Sequence, residues 1–279
     1  MKRFNKIYLE ISNRCNLRCA FCPGTKRPPH TMTREEFTSL LPKLRPWTDY
    51  LYFHVMGEPL CHPQMGEFLS LAGEAGFKVI LTTNGTLLSA RKDILLNSPA
   101  LYKINISLHA FEANDLSVSF SEYLENCFSF GRLAEGKFVV SYRLWNNGGQ
   151  DRQNEEILQA MEQYFPRPWR EEKLGPRIGN RVYLQHGDKF DWPDLSAPEG
   201  DSRVSCYGLK DQLGVLCDGT VVPCCLDHEG DISLGNLFYS ELGEILESPR
   251  AQAVLSGFAG GCAVEELCRK CGYARSKFG

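Results

Sequence analysis

The sequence predicts an α/β fold: a partial (β/α)6 barrel followed by a small α+β domain. Up to residue 187, short apolar stretches alternate with segments of helical periodicity. The apolar stretches are nearly continuous, which is typical of parallel strands that are buried on both faces. About six such units are too few to close an eight-stranded barrel, so the sheet is expected to stay open. Beyond residue 187 the alternation stops, and a second domain is expected.

Six apolar segments predict the strands of the barrel. They lie at 6–12, 49–56, 77–83, 102–108, 137–145 and 180–186. In open sheets of this type, ligands bind beyond the carboxyl ends of the strands. A cysteine-rich loop and the sequences MGEP, TTNGT and SLHA fall at the ends of the first four strands. They should therefore line one opening.

Helices are predicted between these strands, and the first has the clearest N-terminal signal. Thr33 can cap it, and Glu36 completes the pattern of a capping box. The second predicted helix ends at Gly76, a residue type suited to a helix C-terminus. The predicted helices are 33–44, 62–76, 89–98, 121–136 and 151–165.

Residues 1–187 are expected to form the barrel, and residues 188–279 the second domain. The elements predicted around and after the boundary are a linker or lid at 187–202, a hairpin at 212–226, and short helices near 238–248 and 249–257. The linker or lid is rich in Pro, Gly and Asp, as loops are. The hairpin turn falls at Asp218 and Gly219, a favoured turn pair.

Composition and charge favour a cytoplasmic globular protein. The chain has 279 residues and a formal net charge of -3, which argues against a nucleic-acid partner. No apolar stretch is long enough for a secretory signal or a membrane span. Cytosolic thiols are kept reduced, so the twelve cysteines are expected to bind metal or iron–sulfur clusters rather than form disulfides.

Three of the cysteines, Cys15, Cys19 and Cys22, lie close together directly after the first strand. A structural zinc site needs four ligands, so zinc here would require a distant fourth ligand such as His30 or His54. A [4Fe–4S] cluster can accept three thiolates and keep one iron open for chemistry. The local spacing favours the cluster, while zinc and unrelated buried thiols remain alternatives.

The sequence CNLRCAFC resembles the CxxxCxΦC signature of the radical S-adenosylmethionine (SAM) superfamily, with Phe21 as the aromatic residue. MGEP, at 56–59, resembles the GGEP motif of that superfamily, although Met56 replaces the first glycine. TTNG and ISLHA are similar to the segments at the ends of the third and fourth strands. The resemblance implies that SAM is contacted by Phe21, Gly57, Glu58, Thr83, Asn84, Ser107, His109 and Arg143.

Within that set, the resemblance implies that Gly57 and Glu58 contact the amino group of SAM, and that Arg143 contacts its carboxylate. It also implies that the cluster on Cys15, Cys19 and Cys22 is catalytic. Its open iron would chelate SAM, and reductive cleavage would give a 5′-deoxyadenosyl radical that abstracts a substrate hydrogen. A small protein such as flavodoxin or ferredoxin would supply the electron.

A second set of cysteines resembles the twitch form of the SPASM domain, which holds one auxiliary [4Fe–4S] cluster. Twelve residues separate Cys206 from Gly219, four separate Gly219 from Cys224, and a terminal CxxC adds Cys268 and Cys271. The resemblance implies that these four cysteines are the auxiliary ligands. Gly219 is suited to a hairpin turn with positive φ that brings Cys206 and Cys224 together.

Three alternatives remain open for the second set. Cys262 could replace one of the four ligands. A four-cysteine zinc ribbon would also contain a CxxC pair. A full SPASM domain with two clusters would need further ligands, and only Cys217, Cys225 and Cys262 remain, at poor spacing.

Six further residues are candidates for substrate contacts. They are His54, Trp145, Asn146, Trp192, Asp227 and His228. Each has a structural alternative. Trp145 could pack in the core, and the segment around Asp227 could be a solvated turn.

The predicted function is that of a radical SAM enzyme, a lyase or an oxidoreductase, that acts on a small planar heterocyclic molecule. The full-length pattern is similar to a clostridial-type group, for which a cleavage like that of queuine lyase is the specific hypothesis. A twitch-type dehydrogenase and a peptide-modifying enzyme are the enzymatic alternatives. A zinc-binding interaction protein is the non-enzymatic one.

Overall fold

The structure is a computed structural model that describes residues 4–115, 117–149, 151–200 and 202–278. Its strands are β1 (Lys6–Leu9), β2 (Tyr50–Tyr52), β3 (Lys78–Thr83), β4 (Leu101–Ser107), β5 (Val139–Asn147), β6 (Arg177–Gly179), β7 (Val182–Asp188), β8 (Gln212–Val215), β9 (Thr220–Val222) and β10 (Gly235–Asn236). Its helices are α1 (Arg34–Leu44), α2 (Met65–Glu74), α3 (Leu88–Leu96), α4 (Phe120–Ala134), α5 (Asn154–Tyr164), α6 (Leu242–Glu247), α7 (Pro249–Ala259), α8 (Glu266–Arg269) and α9 (Gly272–Phe278).

The strands form a ten-stranded sheet in the order β10-β9-β8-β1-β2-β3-β4-β5-β7-β6. The neighbours β1, β2, β3, β4, β5 and β7 all run parallel to one another. The order has two ends, β10 and β6, so the sheet is open among the residues described. The prediction of six parallel strands that alternate with helices is confirmed.

The C-terminal part of the chain extends the barrel sheet, which the sequence did not indicate. Strand β8 pairs in parallel with β1, and Leu213 and Val215 are as fully buried as Ile7 and Leu9 beside them. Strands β8 and β9 form the predicted hairpin, and Gly219 in its turn has a φ of +84°. A short strand, β6, was also missed; it pairs antiparallel with β7.

The helix-covered face of the sheet carries the hydrophobic core. Residues of β1 to β5 that point to this face are completely or almost completely buried, among them Ile7, Leu9, Leu51, Val79, Leu81, Ile104, Ile106 and Val140. Thr33 caps α1, and the predicted capping box with Glu36 is present. No helix in the described part of the chain is both long and apolar enough to cross a membrane.

The opposite face of the sheet faces a cavity. Side chains alternate along a strand, so Lys6 and Tyr8 of β1 lie on the other face from Ile7 and Leu9, and both line this cavity. On β5, Arg143 and Trp145 line it in the same way.

Candidate active site

Both sets of cysteines line one cavity of about 960 Å³. Its lining includes all seven predicted ligands: Cys15, Cys19, Cys22, Cys206, Cys224, Cys268 and Cys271. All of them are free thiols. The nearest members of the two groups, Cys22 and Cys206, are 184 positions apart in the chain, yet the fold places both groups on the wall of one cavity.

Hydrogen-bond donors approach each sulfur of the N-terminal cysteine loop. Backbone N–H groups donate to Cys15 Sγ over 3.4 Å and to Cys22 Sγ over 3.5 Å. The side-chain amide of Asn114 donates to Cys19 Sγ over 3.1 Å. Such donors stabilise a thiolate, the form that binds iron. Without a metal, burial raises the pKa of Cys15 to about 11.

The arrangement fits a polynuclear cluster. Within the described ranges, no three His, Cys, Asp or Glu side chains converge as ligands of one ion. The irons of a [4Fe–4S] cluster each take a different thiolate, so the sulfurs need not meet at one point. With three thiolates from this loop, a bound cluster would keep one iron open.

The turn at Met56 and Gly57 packs directly on the cysteine loop. Gly57 has a φ of +78°, and a Cβ there would collide with the backbone oxygens of Ser12 and Arg14. The next residue, Glu58, donates its backbone N–H to Arg14 O over 2.9 Å. A glycine is therefore required where the sequence matched the second glycine of GGEP.

Glu58 ties the end of β2 to the end of β3. Its carboxylate accepts hydrogen bonds from the Thr83 hydroxyl (2.8 Å), the Asn84 backbone N–H (2.7 Å) and the Leu60 backbone N–H (3.0 Å). The side chain is only 2% exposed, and this burial raises its pKa to about 7. The contact of Glu58 with the amino group of SAM stays a prediction.

The loops after β3 and β4 border the cysteine loop. The Asn84 side chain donates to Asn16 Oδ1 over 2.9 Å. Ser107 and His109 line the cavity, and the His109 ring lies 4.9 Å from the ring of Phe21. The four motifs singled out in the sequence thus meet at one end of the cavity.

Arg143, on β5, lies over the ring of Trp145 at 4.2 Å. Its Nε donates to Gln185 Oε1 over 3.4 Å. Burial lowers the pKa of Arg143 to about 10, and the groups that act against this decrease are Tyr8, Tyr52 and Cys225. No carboxylate is among them, so this charge is available to an anionic ligand.

The C-terminal cysteines have a similar environment. The N–H of Gly208 donates to Cys206 Sγ over 3.3 Å, and that of Ala274 to Cys271 Sγ over 3.4 Å. Burial raises the pKa of Cys224 well above its ordinary value. The rival ligand Cys262 is exposed and lies off the cavity wall.

Comparisons with known proteins agree with this geometry. A sequence profile of the radical SAM superfamily matches residues 9–127, and a profile of the SPASM iron–sulfur cluster-binding domain matches residues 206–272. The chain carries a radical SAM domain followed by a SPASM domain. The radical SAM domain binds a [4Fe–4S] cluster and SAM, and the SPASM domain binds auxiliary iron–sulfur clusters. The alternative of a zinc-binding interaction protein is thereby replaced.

Two curated relatives are similar to this chain over part of its length and part of their own. The tungsten-containing aldehyde ferredoxin oxidoreductase cofactor-modifying protein of Pyrococcus furiosus is 29% identical over 49% of this chain and 38% of its own length. The Fe-coproporphyrin III synthase of Methanosarcina barkeri is 26% identical over 70% of this chain and 48% of its own. The chain therefore spans less than half the length of these relatives.

Two solved structures share the fold across 97% of the chain. BtrN in complex with AdoMet and 2-DOIA superposes with a TM-score of 0.64 at 18% identity and is covered over 94% of its length. Streptococcus suis SuiB bound to S-adenosylmethionine gives 0.66 at 15% identity, over 72% of its length. At these identities the likeness establishes the fold.

A buried ion pair joins the radical SAM domain to the SPASM domain. The two guanidinium Nη atoms of Arg27 donate to Glu10 over 2.7 and 2.8 Å, and Arg27 Nε donates to the carbonyl of His228 over 2.7 Å. Glu10 also accepts the backbone N–H groups of Met56 and Cys217, at 2.9 and 3.0 Å. The Glu10 carboxylate thus connects the segment after the cysteine loop, the turn before Glu58 and the β8–β9 hairpin.

Arg27→Met is expected to destabilise the protein by about 3–5 kcal/mol, because it leaves a buried carboxylate without its charge partner. Glu10 is 0% and Arg27 10% exposed in the pair. The matched control is Arg34→Met, which removes an exposed 2.7 Å pair with Glu67 and should cost about 0–1 kcal/mol. Thermal unfolding of both anaerobic, cluster-loaded variants measures the difference. Equal decreases in the unfolding midpoint would contradict the structural role of the pair.

Four of the six candidate substrate residues line the cavity: His54, Trp145, Trp192 and Asp227. Asn146 does not line the cavity. Asn146 follows Trp145 on β5 and points to the other face, where its side chain and that of Asn154 exchange hydrogen bonds of 2.9 and 3.1 Å. Its polar character reflects this pairing.

His228 does not line the cavity either. Its ring packs edge-on against Trp192 at 5.5 Å, so it supports a lining residue from behind. Asp227 is buried, and its carboxylate accepts the backbone N–H groups of residues 230, 231 and 232 at 2.9 to 3.1 Å. The alternative of a solvated turn does not hold for Asp227, because this carboxylate is buried and accepts the amides of its own loop.

Proposed function

We propose that this radical SAM enzyme oxidises a small molecule held between its two cluster sites. When bound, the cofactors would supply a SAM-derived radical that takes one hydrogen atom from the substrate and an auxiliary cluster that takes one electron as a proton leaves. The observation that carries the proposal is the shared cavity. Cys19 and Cys22 line it together with Cys206 and Cys268, so a substrate in it would face both sites.

The four SPASM cysteines support the oxidation rather than substrate ligation. Cys206, Cys224, Cys268 and Cys271 together provide one thiolate for each iron of a four-iron cluster. No iron would then remain open to bind substrate, and electron transfer is the function left to such a cluster. Cys262, exposed and off the cavity wall, is placed unfavourably to replace one of them.

The radical SAM motifs support the placement of SAM at the other end of the cavity. We assign the SAM contacts to Phe21, Gly57, Glu58, Thr83, Asn84, Ser107, His109 and Arg143, all of which line it. The uncompensated charge of Arg143 suits the SAM carboxylate. Flavodoxin or ferredoxin remains the proposed reductant.

Aromatic side chains support a planar substrate. Trp145 and Trp192 both line the cavity, and their faces can stack on a ring. A cleavage like that of queuine lyase stays a hypothesis. It differs from oxidation in its product, which would be two fragments rather than one molecule with two hydrogen atoms fewer.

The test is a metabolite screen with the anaerobically reconstituted protein, SAM and a reductant, read by mass spectrometry. We expect 5′-deoxyadenosine together with a product that lacks two hydrogen atoms. Changing Cys268 and Cys271 to alanine should leave 5′-deoxyadenosine formation in place and abolish that product, because the electron acceptor is lost. Fragmented products, or equal oxidation by the double variant, would contradict the proposal.

A further inference from the structure

Lys6 presents a positive charge to the cavity from the first strand. Its ammonium lies over two aromatic rings, 5.5 Å from the centroid of Tyr8 and 5.6 Å from that of Tyr52. All three residues line the cavity. The two rings hold the ammonium in place, because cations are attracted to aromatic faces.

No carboxylate within the described ranges forms an ion pair with Lys6 or Arg143. Asp211 is close enough to favour the charged form of Lys6 but ranks behind burial, Cys225 and Arg143 in its effect. The carboxylates that line the cavity are Glu58 and Asp227, and backbone N–H groups already donate to both.

The surroundings of Lys6 disfavour its positive charge. Burial lowers the pKa of Lys6, and the neighbouring charge of Arg143 lowers it further. Lys6 is half-buried, and an anion in the cavity would offset the hydration that its charge loses there.

His54 lies beside Tyr8 and Tyr52, the two tyrosines under Lys6, and has an unsatisfied buried nitrogen. Its ring lies 5.3 Å from that of Tyr8 and 5.9 Å from that of Tyr52. Its Nδ1 is buried and has no hydrogen-bond partner in the described part of the chain. Burial lowers the pKa of His54 to about 3, so the ring is neutral. A buried polar atom without a partner is uncommon in a structure that is complete without a ligand.

SAM carries one carboxylate, and the proposed function assigns that group to Arg143. Lys6 is then left without an anion. We propose that Lys6, on its platform of Tyr8 and Tyr52, binds an anionic group of the substrate, a carboxylate or a phosphate. The inference rests on the proposed function for the placement of the substrate, and it narrows the substrate to small planar acids.

The experiment is equilibrium dialysis of the cluster-loaded, SAM-saturated protein against three probes: benzoate, phenyl phosphate and neutral benzamide. We expect at least one acid to bind about tenfold or more tightly than benzamide, and Lys6→Gln to weaken that acid by about tenfold or more. Binding of benzoate identifies a carboxylate site, and binding of phenyl phosphate a phosphate site.

The matched control is Lys78→Gln. Lys78 also lies over two tyrosines, 5.5 Å from Tyr50 and 5.3 Å from Tyr102, but it does not line the cavity. Its removal should leave acid binding unchanged. The inference is overturned if neither acid binds or if benzamide binds as tightly as the acids. It is also overturned if Lys6→Gln and Lys78→Gln weaken acid binding equally, or if Lys6→Gln lowers the affinity for SAM instead. Dialysis requires no turnover, so these outcomes are distinct from failure of the proposed oxidation.

Discussion

Changing Cys15, Cys19 and Cys22 together to alanine is expected to abolish the formation of 5′-deoxyadenosine. The physical reason is chelation, because without three thiolates there is no cluster with an open iron to hold SAM. The SPASM cysteines lie elsewhere in the chain, on α8, in the turn between α8 and α9, and in the segments around the β8–β9 hairpin. Their cluster should therefore still assemble, and the variant should keep about four irons per chain.

The measurement is single-turnover formation of 5′-deoxyadenosine under anaerobic conditions with a chemical reductant. Cys262→Ala is the control, because this thiol is exposed and lies off the cavity wall. It should keep the full yield. Reductive cleavage of SAM that persists in the triple variant would show that SAM is held elsewhere.

The order of strands and helices along the chain could be predicted because each sequence pattern behind it is local. Apolar strands, the capping box at Thr33 and Glu36, and the positive φ of Gly219 depend on residues within a few positions of one another. The cysteine motifs are equally local. For the same reason their spacing could suggest two cluster sites, whereas it could not show that both face one cavity.

The site features that the sequence did not predict depend on contacts between distant parts of the chain or on the two faces of one strand. Asn114 reaches Cys19 from 95 positions away, and no spacing rule indicates that pair. The Glu10 carboxylate binds the N–H of Cys217 from 207 positions away. Asn146 lies off the cavity for another reason. It follows Trp145 on β5, and neighbours on a strand point to opposite faces.

The pairing of β8 with β1, across the domain boundary, also could not be predicted from the sequence. Strand β8 is short, and its apolar residues are compatible with an isolated hairpin. Only the register against β1, where Leu213 lies beside Ile7 and Val215 beside Leu9, shows that it extends the barrel. This pairing brings the SPASM cysteines to the cavity, which makes the shared site possible.

The iron content of protein that has never been exposed to air tests the two-site arrangement most directly. With one four-iron cluster in each domain, we expect about eight irons per chain. Changing Cys268 and Cys271 to alanine should leave about four, since two thiolates do not hold a cluster stably. About twelve irons in the parent would instead indicate two auxiliary clusters. Tightly held zinc with only about four irons, unchanged in number by the double substitution, would contradict an auxiliary cluster and the proposed oxidation with it.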